Sequence, residues 1–342
     1  MLRPWCRHAT LPPLLAVNIG YAIVGIAILY WGAEWLIRGS AAVARAFGVK
    51  PLVIGLTVVA YGASAPELAV STKTALTHHS PIALGTVIGS CAANISLILG
   101  LTALIAPPTI DGRLIRREIP MLLGSAIAVP LVLWNGILSR VEGAILVGCA
   151  VLFTIVTLSV SSRIDPDEEL VEEARRAEAS GAQLGGRARP HTSRTMAAIM
   201  TTAGMLLLVG GSDLLVEGAR GVGNDLGMSE RMLGLTVISL GTALPELLGS
   251  LVAASRGHSE LAIGSVIGSN LLNVFLVLGI TGYLEEVRFA EAGAMHVVEL
   301  VGLVAITVLG ILVLRSSRRI SRLEGALLVA AYIAFIVMSA LL

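Results

Sequence analysis

Residues 54–100, IGLTVVAYGASAPELAVSTKTALTHHSPIALGTVIGSCAANISLILG, and residues 233–279, LGLTVISLGTALPELLGSLVAASRGHSELAIGSVIGSNLLNVFLVLG, decide the fold. Sliding the chain along itself by 179 positions superposes them without a gap, and 22 of the 47 pairs are identical. The same offset pairs Gly32 with Gly211, Glu34 with Asp213 and Gly39 with Gly218, so the likeness begins in the first apolar stretch of each half. The chain is therefore an internal duplication. Its halves are separated by residues 163–194, RIDPDEELVEEARRAEASGAQLGGRARPHTSR, the one long polar segment, which holds 13 of the 47 Lys, Arg, Asp and Glu residues.

Each half is too apolar for a soluble fold. Of 342 residues 55% are hydrophobic and 14% charged, where soluble domains carry about a quarter charged. A bilayer-spanning helix needs about 20 apolar residues, and ten stretches fit: 14–37, 51–76, 81–106, 119–136, 142–162, 196–216, 230–254, 260–282, 294–314 and 323–342. The first follows Arg3 and Arg7 as a leader would, yet it already belongs to the repeat and is read as a retained span. The expected fold is all-α: ten transmembrane helices in two five-helix repeats, 14–162 and 196–342, joined by a cytoplasmic linker at 163–195. Five crossings are an odd number, so the second repeat enters the membrane upside down, as in many secondary transporters. Placing both termini outside puts 17 Lys and Arg on inner connections against 7 on outer ones, which the positive-inside rule favours.

Several functions are disfavoured by composition and spacing. A net charge of +1 gives no basic face for nucleic acid. Cys6, Cys91 and Cys149 are scattered, with neither a CxxC pair nor an accompanying His set, and read as packing residues. The linker acids Asp165, Asp167, Glu168, Glu169, Glu172 and Glu173 lack the alternation, central Gly and terminal Glu of a calcium loop and read as a solvated helix.

The chemistry lies in two motifs that occur once per repeat. One is Gly62-Ala-Ser-Ala-Pro-Glu67, matched by Gly241-Thr-Ala-Leu-Pro-Glu246; the other is Gly85-Thr-Val-Ile-Gly-Ser90 through Asn94, matched by Gly264-Ser-Val-Ile-Gly-Ser269 through Asn273. All fall inside apolar spans, where a charge costs on the order of 3 kcal/mol, so Glu67 and Glu246 require a function. Pro66 and Pro245 remove a backbone donor beside a flexible Gly, which breaks the helix and frees carbonyls. Such unwound backbone in transporters commonly coordinates cations. Ser90 with Asn94, and Ser269 with Asn273, stand i,i+4 and each present two oxygens on one face. Two carboxylates, two amides, hydroxyls and carbonyls make an all-oxygen set suited to a hard cation such as Ca²⁺. A plain kink or close packing accounts for the prolines and glycines taken singly, but not for the paired glutamates. Glu34 and Asp213, about a turn from the ends of their spans, read as structural pairing or interfacial solvation, and His78, His79 and His258 lie in connections and are not expected to be ligands.

On these residues the chain resembles the sodium/calcium exchanger family of cation/calcium antiporters, prokaryotic in type, whose signature is two alpha-repeats of the form G-[TS]-S-x-P-E and G-N-x-x-G-S-N-x-x-[ND]. The resemblance covers both halves and excludes the linker. It implies central calcium ligands at Glu67 and Glu246 with Asn94 and Asn273 beside them, and flanking sodium sites at Ser64, Ser90, Thr242 and Ser269 with carbonyls near Ala60 and Ser239. The pattern is broken at Ala63, Ala243, Thr86, Ser265 and Cys91; the hydroxyl absent at Ala63 removes one sodium-site oxygen and leaves the coupling ratio open.

The expected function is a multi-pass carrier of the cell membrane, monomeric in the bilayer, exchanging Ca²⁺ for Na⁺ by alternating access, with the ions as substrates and no cofactor. Proton-coupled exchange of Ca²⁺ or another divalent cation is the alternative, since two neighbouring carboxylates raise each other's proton affinity. An intramembrane hydrolase using Ser64 or Ser90 is disfavoured because no base accompanies either serine in the spans, so no enzyme is expected. A channel would need a continuous pore.

Overall fold

In the computed structural model the described residues are 13–46, 60–110, 112–161, 193–255, 257, 259–288, 297–316 and 319–341. They are helical almost throughout. The first half holds α1 (Pro13–Ala46), α2 (Ala60–Ala63), α3 (Ala65–Leu76), α4 (Ser80–Ala92), α5 (Leu99–Ile105), α6 (Gly112–Val132) and α7 (Arg140–Ser161). The second holds α8 (Arg194–Leu226), α9 (Glu230–Leu233), α10 (Ser239–Thr242), α11 (Leu244–Ser255), α12 (Ser259–Leu272), α13 (Gly279–Leu284), α14 (Val297–Ser316) and α15 (Arg322–Leu341). Three π-helical stretches, Ala93–Ile98, Gly234–Ile238 and Asn273–Leu278, join α4 to α5, α9 to α10 and α12 to α13 without interrupting the rod.

Among the described residues seven helices are long and apolar enough to cross a membrane, and the pair Glu230–Thr242 and Leu244–Ser255, bent by 45° at the break, makes an eighth. Of the two other expected spans, 119–136 is represented by the shorter apolar helix Glu118–Val132. Residues 51–59 of the stretch at 51–76 lie outside the described residues, as does most of the 163–195 linker. The span expected at 196–216 is one helix running to Leu226. Hydropathy stops at Asp213, Glu217 and Arg220, whereas the helix passes through these charges to Gly227, whose φ of 68° closes it with a bond to the Gly223 carbonyl.

Two kinds of surface organise the bundle. The rod Ser80–Ile105 is buried along most of its length, with Leu84, Val87, Ile88, Ile95, Ile98 and Leu99 in the core, so this rod is the centre. By contrast α7 exposes Val141, Ile145, Val151, Leu152 and Ile155, as a helix against hydrocarbon does. The repeat-related helices α1 and α8 pack along one seam. A Cβ on Gly32 would lie 2.9 Å from the Leu208 nitrogen, one on Gly39 2.5 Å from the Thr201 nitrogen, and one on Gly211 2.8 Å from the Leu29 nitrogen. As one index rises the other falls, so the helices run antiparallel. Glycines seven residues apart, at 25, 32 and 39 and at 204, 211 and 218, bring the backbones into contact.

Two short ladders tie the connections together. Ile137–Leu138 pairs antiparallel with Val287–Arg288, and Thr109 bridges Arg319, with the Ile320 N–H donating to the Pro108 carbonyl. Thr109 and Arg288 are 179 residues apart, so each repeat makes the equivalent link to the other.

Candidate ion-binding site

Both motif helices break at the same repeat position. Ser64, between α2 and α3, has φ −85° and ψ 6°, and Ala243, between α10 and α11, has φ −83° and ψ 0°. Pro66 lies in the first turn of α3, where its missing N–H costs nothing. Glu67 and Glu246 follow in the first turns of α3 and α11, where the positive helix end favours a carboxylate. The preceding half-helices end at the same points, so each break joins a negative helix end to a carboxylate.

The structure draws these segments together. Glu67 is 1% exposed and Glu246 4% exposed, and each carboxylate lies within the other's electrostatic reach. Thr242, at the end of α10, places its hydroxyl beside the Glu67 carboxylate and also within 3.3 Å of the Ser239 carbonyl. Ser239 donates its hydroxyl to the Leu235 carbonyl at 2.7 Å. Its own carbonyl accepts the Ala243 N–H at 3.0 Å, so that oxygen is engaged in the turn rather than free. Gly89 lets the Ser239 side chain approach α4 closely, since a Cβ there would stand 2.6 Å from Ser239 Oγ. Asn94 and Asn273 sit in the π-helical stretches, and Ser90 and Ser269 one turn before them, all buried. Ala60 opens α2.

The most informative feature is what these groups lack. Ser64 Oγ, Glu67 Oε2, Ser90 Oγ, Asn94 Oδ1, Glu246 Oε2 and Asn273 Oδ1 are buried without a hydrogen-bond partner. An unsatisfied buried polar atom costs about 1–3 kcal/mol, so six approach the whole net stability of a typical protein, about 5–15 kcal/mol. All six are oxygens, and they come from both repeats. No metal-holding group of three or more His, Cys, Asp and Glu occurs among the described residues, and the mixture of carboxylate, amide and hydroxyl is what a hard cation takes.

Polar residues outside the motifs form ion pairs of their own. Glu34 pairs with Arg38 one turn along its helix, and Asp213 meets Lys73 at 2.7 Å. His79 contacts Glu230 at 2.9 Å, away from the motifs, and His258 lies outside the described residues.

Three features had no signal in the motifs. The π-helical stretches place an extra residue per turn at both asparagines, a distortion common at functional sites. Cys91 and its repeat mate Asn270 touch, the Asn270 side-chain amide donating to the Cys91 carbonyl at 3.3 Å. Arg231 is buried in an ion pair with Glu299 at 2.5 Å and donates to the Ser339 carbonyl at 3.1 Å.

The family model of the sodium/calcium exchanger protein matches residues 17–159 and 196–341. The chain belongs to the sodium/calcium exchanger family. It is similar to the inner membrane protein YrbG of Escherichia coli K12, 31% identical over 321 residues that cover 92% of this chain and 94% of YrbG. It is also similar to the sodium/calcium exchanger MaX1 of Methanosarcina acetivorans, 27% identical over 95% of this chain and 99% of that one. Among solved structures, the sodium-calcium exchanger NCX_Mj soaked with 10 mM Na⁺ and no Ca²⁺ superposes with a TM-score of 0.62 at 29% identity, over 94% of this chain and 99% of that chain. The protein is thus a multi-pass membrane protein of an ion-antiporter family.

Proposed function

We propose that this protein exchanges Ca²⁺ for Na⁺ across the cell membrane by alternating access at one central site. The reading rests on a single observation, the six buried oxygens without hydrogen-bond partners that the motifs of both repeats supply. Glu67 and Glu246 supply two negative charges that balance one Ca²⁺, and Asn94 and Asn273 supply neutral oxygens beside them. Ser64, Ser90, Thr242 and Ser269, with backbone near Ala60, serve Na⁺ at the flanks, and near Ser239 the carbonyl contributes only the lone pair that the Ala243 N–H leaves. A carrier loaded with either ion set then crosses without a large net buried charge.

The chain crosses the bilayer ten times in two inverted repeats, 14–162 and 196–342, with the 163–195 linker in the cytoplasm and both termini outside. The antiparallel seam between the repeat mates α1 and α8 supports this, because equivalent helices that run in opposite directions belong to oppositely inserted copies. The proton is the alternative counter-ion, favoured by two buried carboxylates, Glu67 and Glu246, in the repeated motifs. Uptake of ⁴⁵Ca²⁺ into proteoliposomes, driven first by an outward Na⁺ gradient and then by a pH gradient alone, decides between them. Flux under the Na⁺ gradient alone is expected; flux under the pH gradient alone overturns the choice of counter-ion.

A further inference from the structure

Partnerless buried hydroxyls continue beyond the motifs. Ser71 Oγ, Thr102 Oγ1 and Thr281 Oγ1 are buried with no hydrogen-bond partner. Thr102 and Thr281 are repeat mates. The mate of Ser71 is Ser250, buried and held only by a 3.4 Å contact to the Ala262 carbonyl. These are two copies of one arrangement.

Helix geometry shows where they face. Ser71 and Ser250 follow Glu67 and Glu246 by four residues, on the same face and about 6 Å further along the helix. Ser71 lies about 200° around α3 from Lys73, the residue that reaches Asp213 on α8, so it faces away from α8. On α13, Gly279 turns toward Val147 of α7 and Gly282 toward Leu138 in the strand that precedes α7, and Thr281 stands on another side. Gly100 likewise turns toward Gly325 of α15, leaving Thr102 about 200° away. Helix α3 packs against α13, and α11 against α5. Ser71 and Thr281 therefore belong to one end of the bundle core, and Ser250 and Thr102 to the other.

We propose that these two repeat-related hydroxyl pairs line the two half-paths by which cations reach the site, Ser71 with Thr281 from one side of the membrane and Ser250 with Thr102 from the other. The inference rests on the exchange reading above. An ion leaving water must replace hydration oxygens step by step, and a neutral hydroxyl binds weakly enough to release it inward. Opposite sides follow from direction: the chain leaves Glu67 along α3 and Glu246 along α11, and the repeats that carry them run antiparallel. Thr74, one turn beyond Ser71, donates to the Val70 carbonyl and keeps its lone pairs for a cation. Its mate is Ala253, so the first path carries one more oxygen.

The test uses the full chain in proteoliposomes of defined orientation. Initial Na⁺-driven ⁴⁵Ca²⁺ flux is measured with Ca²⁺ presented on either side, for Ser71→Ala/Thr281→Val and for Ser250→Ala/Thr102→Val, together with equilibrium Ca²⁺ binding in detergent. Each double variant is expected to raise the half-saturating Ca²⁺ at least fivefold on one face, the opposite face for the other variant, with detergent affinity within twofold of wild type. An equal change on both faces, no change, or a matching loss of detergent affinity overturns the paths. In a Cys-free background, Ser71→Cys and Ser250→Cys should react with an impermeant methanethiosulfonate from opposite sides, each protected by Ca²⁺; failure to react, or reaction from one side, also overturns it. Absence of Na⁺-driven flux in wild type would sink the exchange reading, and the same thiol labelling then still decides the paths.

Discussion

Glu246→Gln separates charge from shape at the site. The amide keeps the volume and one oxygen, but a divalent ion then faces a single buried carboxylate, Glu67. Both glutamates are almost wholly shielded from water, so solvent offers little compensation. Removing one member of a buried charge pair costs about 3–5 kcal/mol. At about 1.4 kcal/mol per tenfold this weakens Ca²⁺ binding by roughly 10²- to 10⁴-fold. Ser90→Ala deletes a neutral oxygen at the same centre and should cost about 1 kcal/mol, roughly fivefold. The assay is equilibrium ⁴⁵Ca²⁺ binding to purified protein in detergent, with size-exclusion and melting profiles showing that each variant is folded. The reasoning fails if Glu246→Gln binds within threefold of wild type, or if Ser90→Ala is equally severe.

Gly211→Ala, whose Cβ would press on the Leu29 backbone, should lower the melting temperature through about 1–3 kcal/mol of overpacking; its neighbour Gly210, with nothing within 4 Å, should accept Ala without loss, and equal melting of the two variants would contradict the seam. Glu299→Gln strands the Arg231 guanidinium, 6% exposed, and should destabilise the fold by about 3–5 kcal/mol in a thermal melt, an effect that Arg231→Met in the same chain relieves. Because Ca²⁺ takes only ionised carboxylates, half-saturating Ca²⁺ should rise as pH falls from about 8 to about 5.5; a flat titration argues against Glu67 and Glu246 as ligands. Replacing K⁺ by choline on both sides should leave Na⁺-driven Ca²⁺ flux intact, because Asn94 and Asn273 add no charge to the two carboxylates, and Asn273→Asp should make the flux sensitive to K⁺ or H⁺.

The duplication was legible because 22 identities survive along one offset, and the breaks because Pro66 and Pro245 leave a helix few alternatives. The burial of Glu67 and Glu246 followed from their apolar surroundings. The π-helical stretches left no trace, since ANISLI and NVFLVL lie in helices that are buried nearly all round, and a helix without a polar face has no phase from which its pitch can be read. The Arg231–Glu299 pair joins residues 68 apart in sequence, where nothing local signals the contact. Helix α8 was cut short because a hydropathy window ends at charge, while a helix ends where its backbone bonds end, here at Gly227.

The departures from symmetry are as informative as the symmetry. Two identical inverted repeats would make the inward- and outward-facing forms equal in energy, since each would be the other turned over. Here the start of α9 is anchored by Arg231 to Glu299 and by Glu230 to His79 and Arg220, while the mates of Arg231 and Glu230 are Leu52 and Pro51, which carry no charge to anchor with. Lys73 ties α3 to α8 through Asp213, while its mate Val252 has no such reach. Each tie is present in one repeat without its counterpart, so under the alternating access proposed above breaking one shifts the balance between the two facings instead of scaling both. An equilibrium shifts only by the difference in interaction between its two states, and these unmatched side chains are where such a difference can reside.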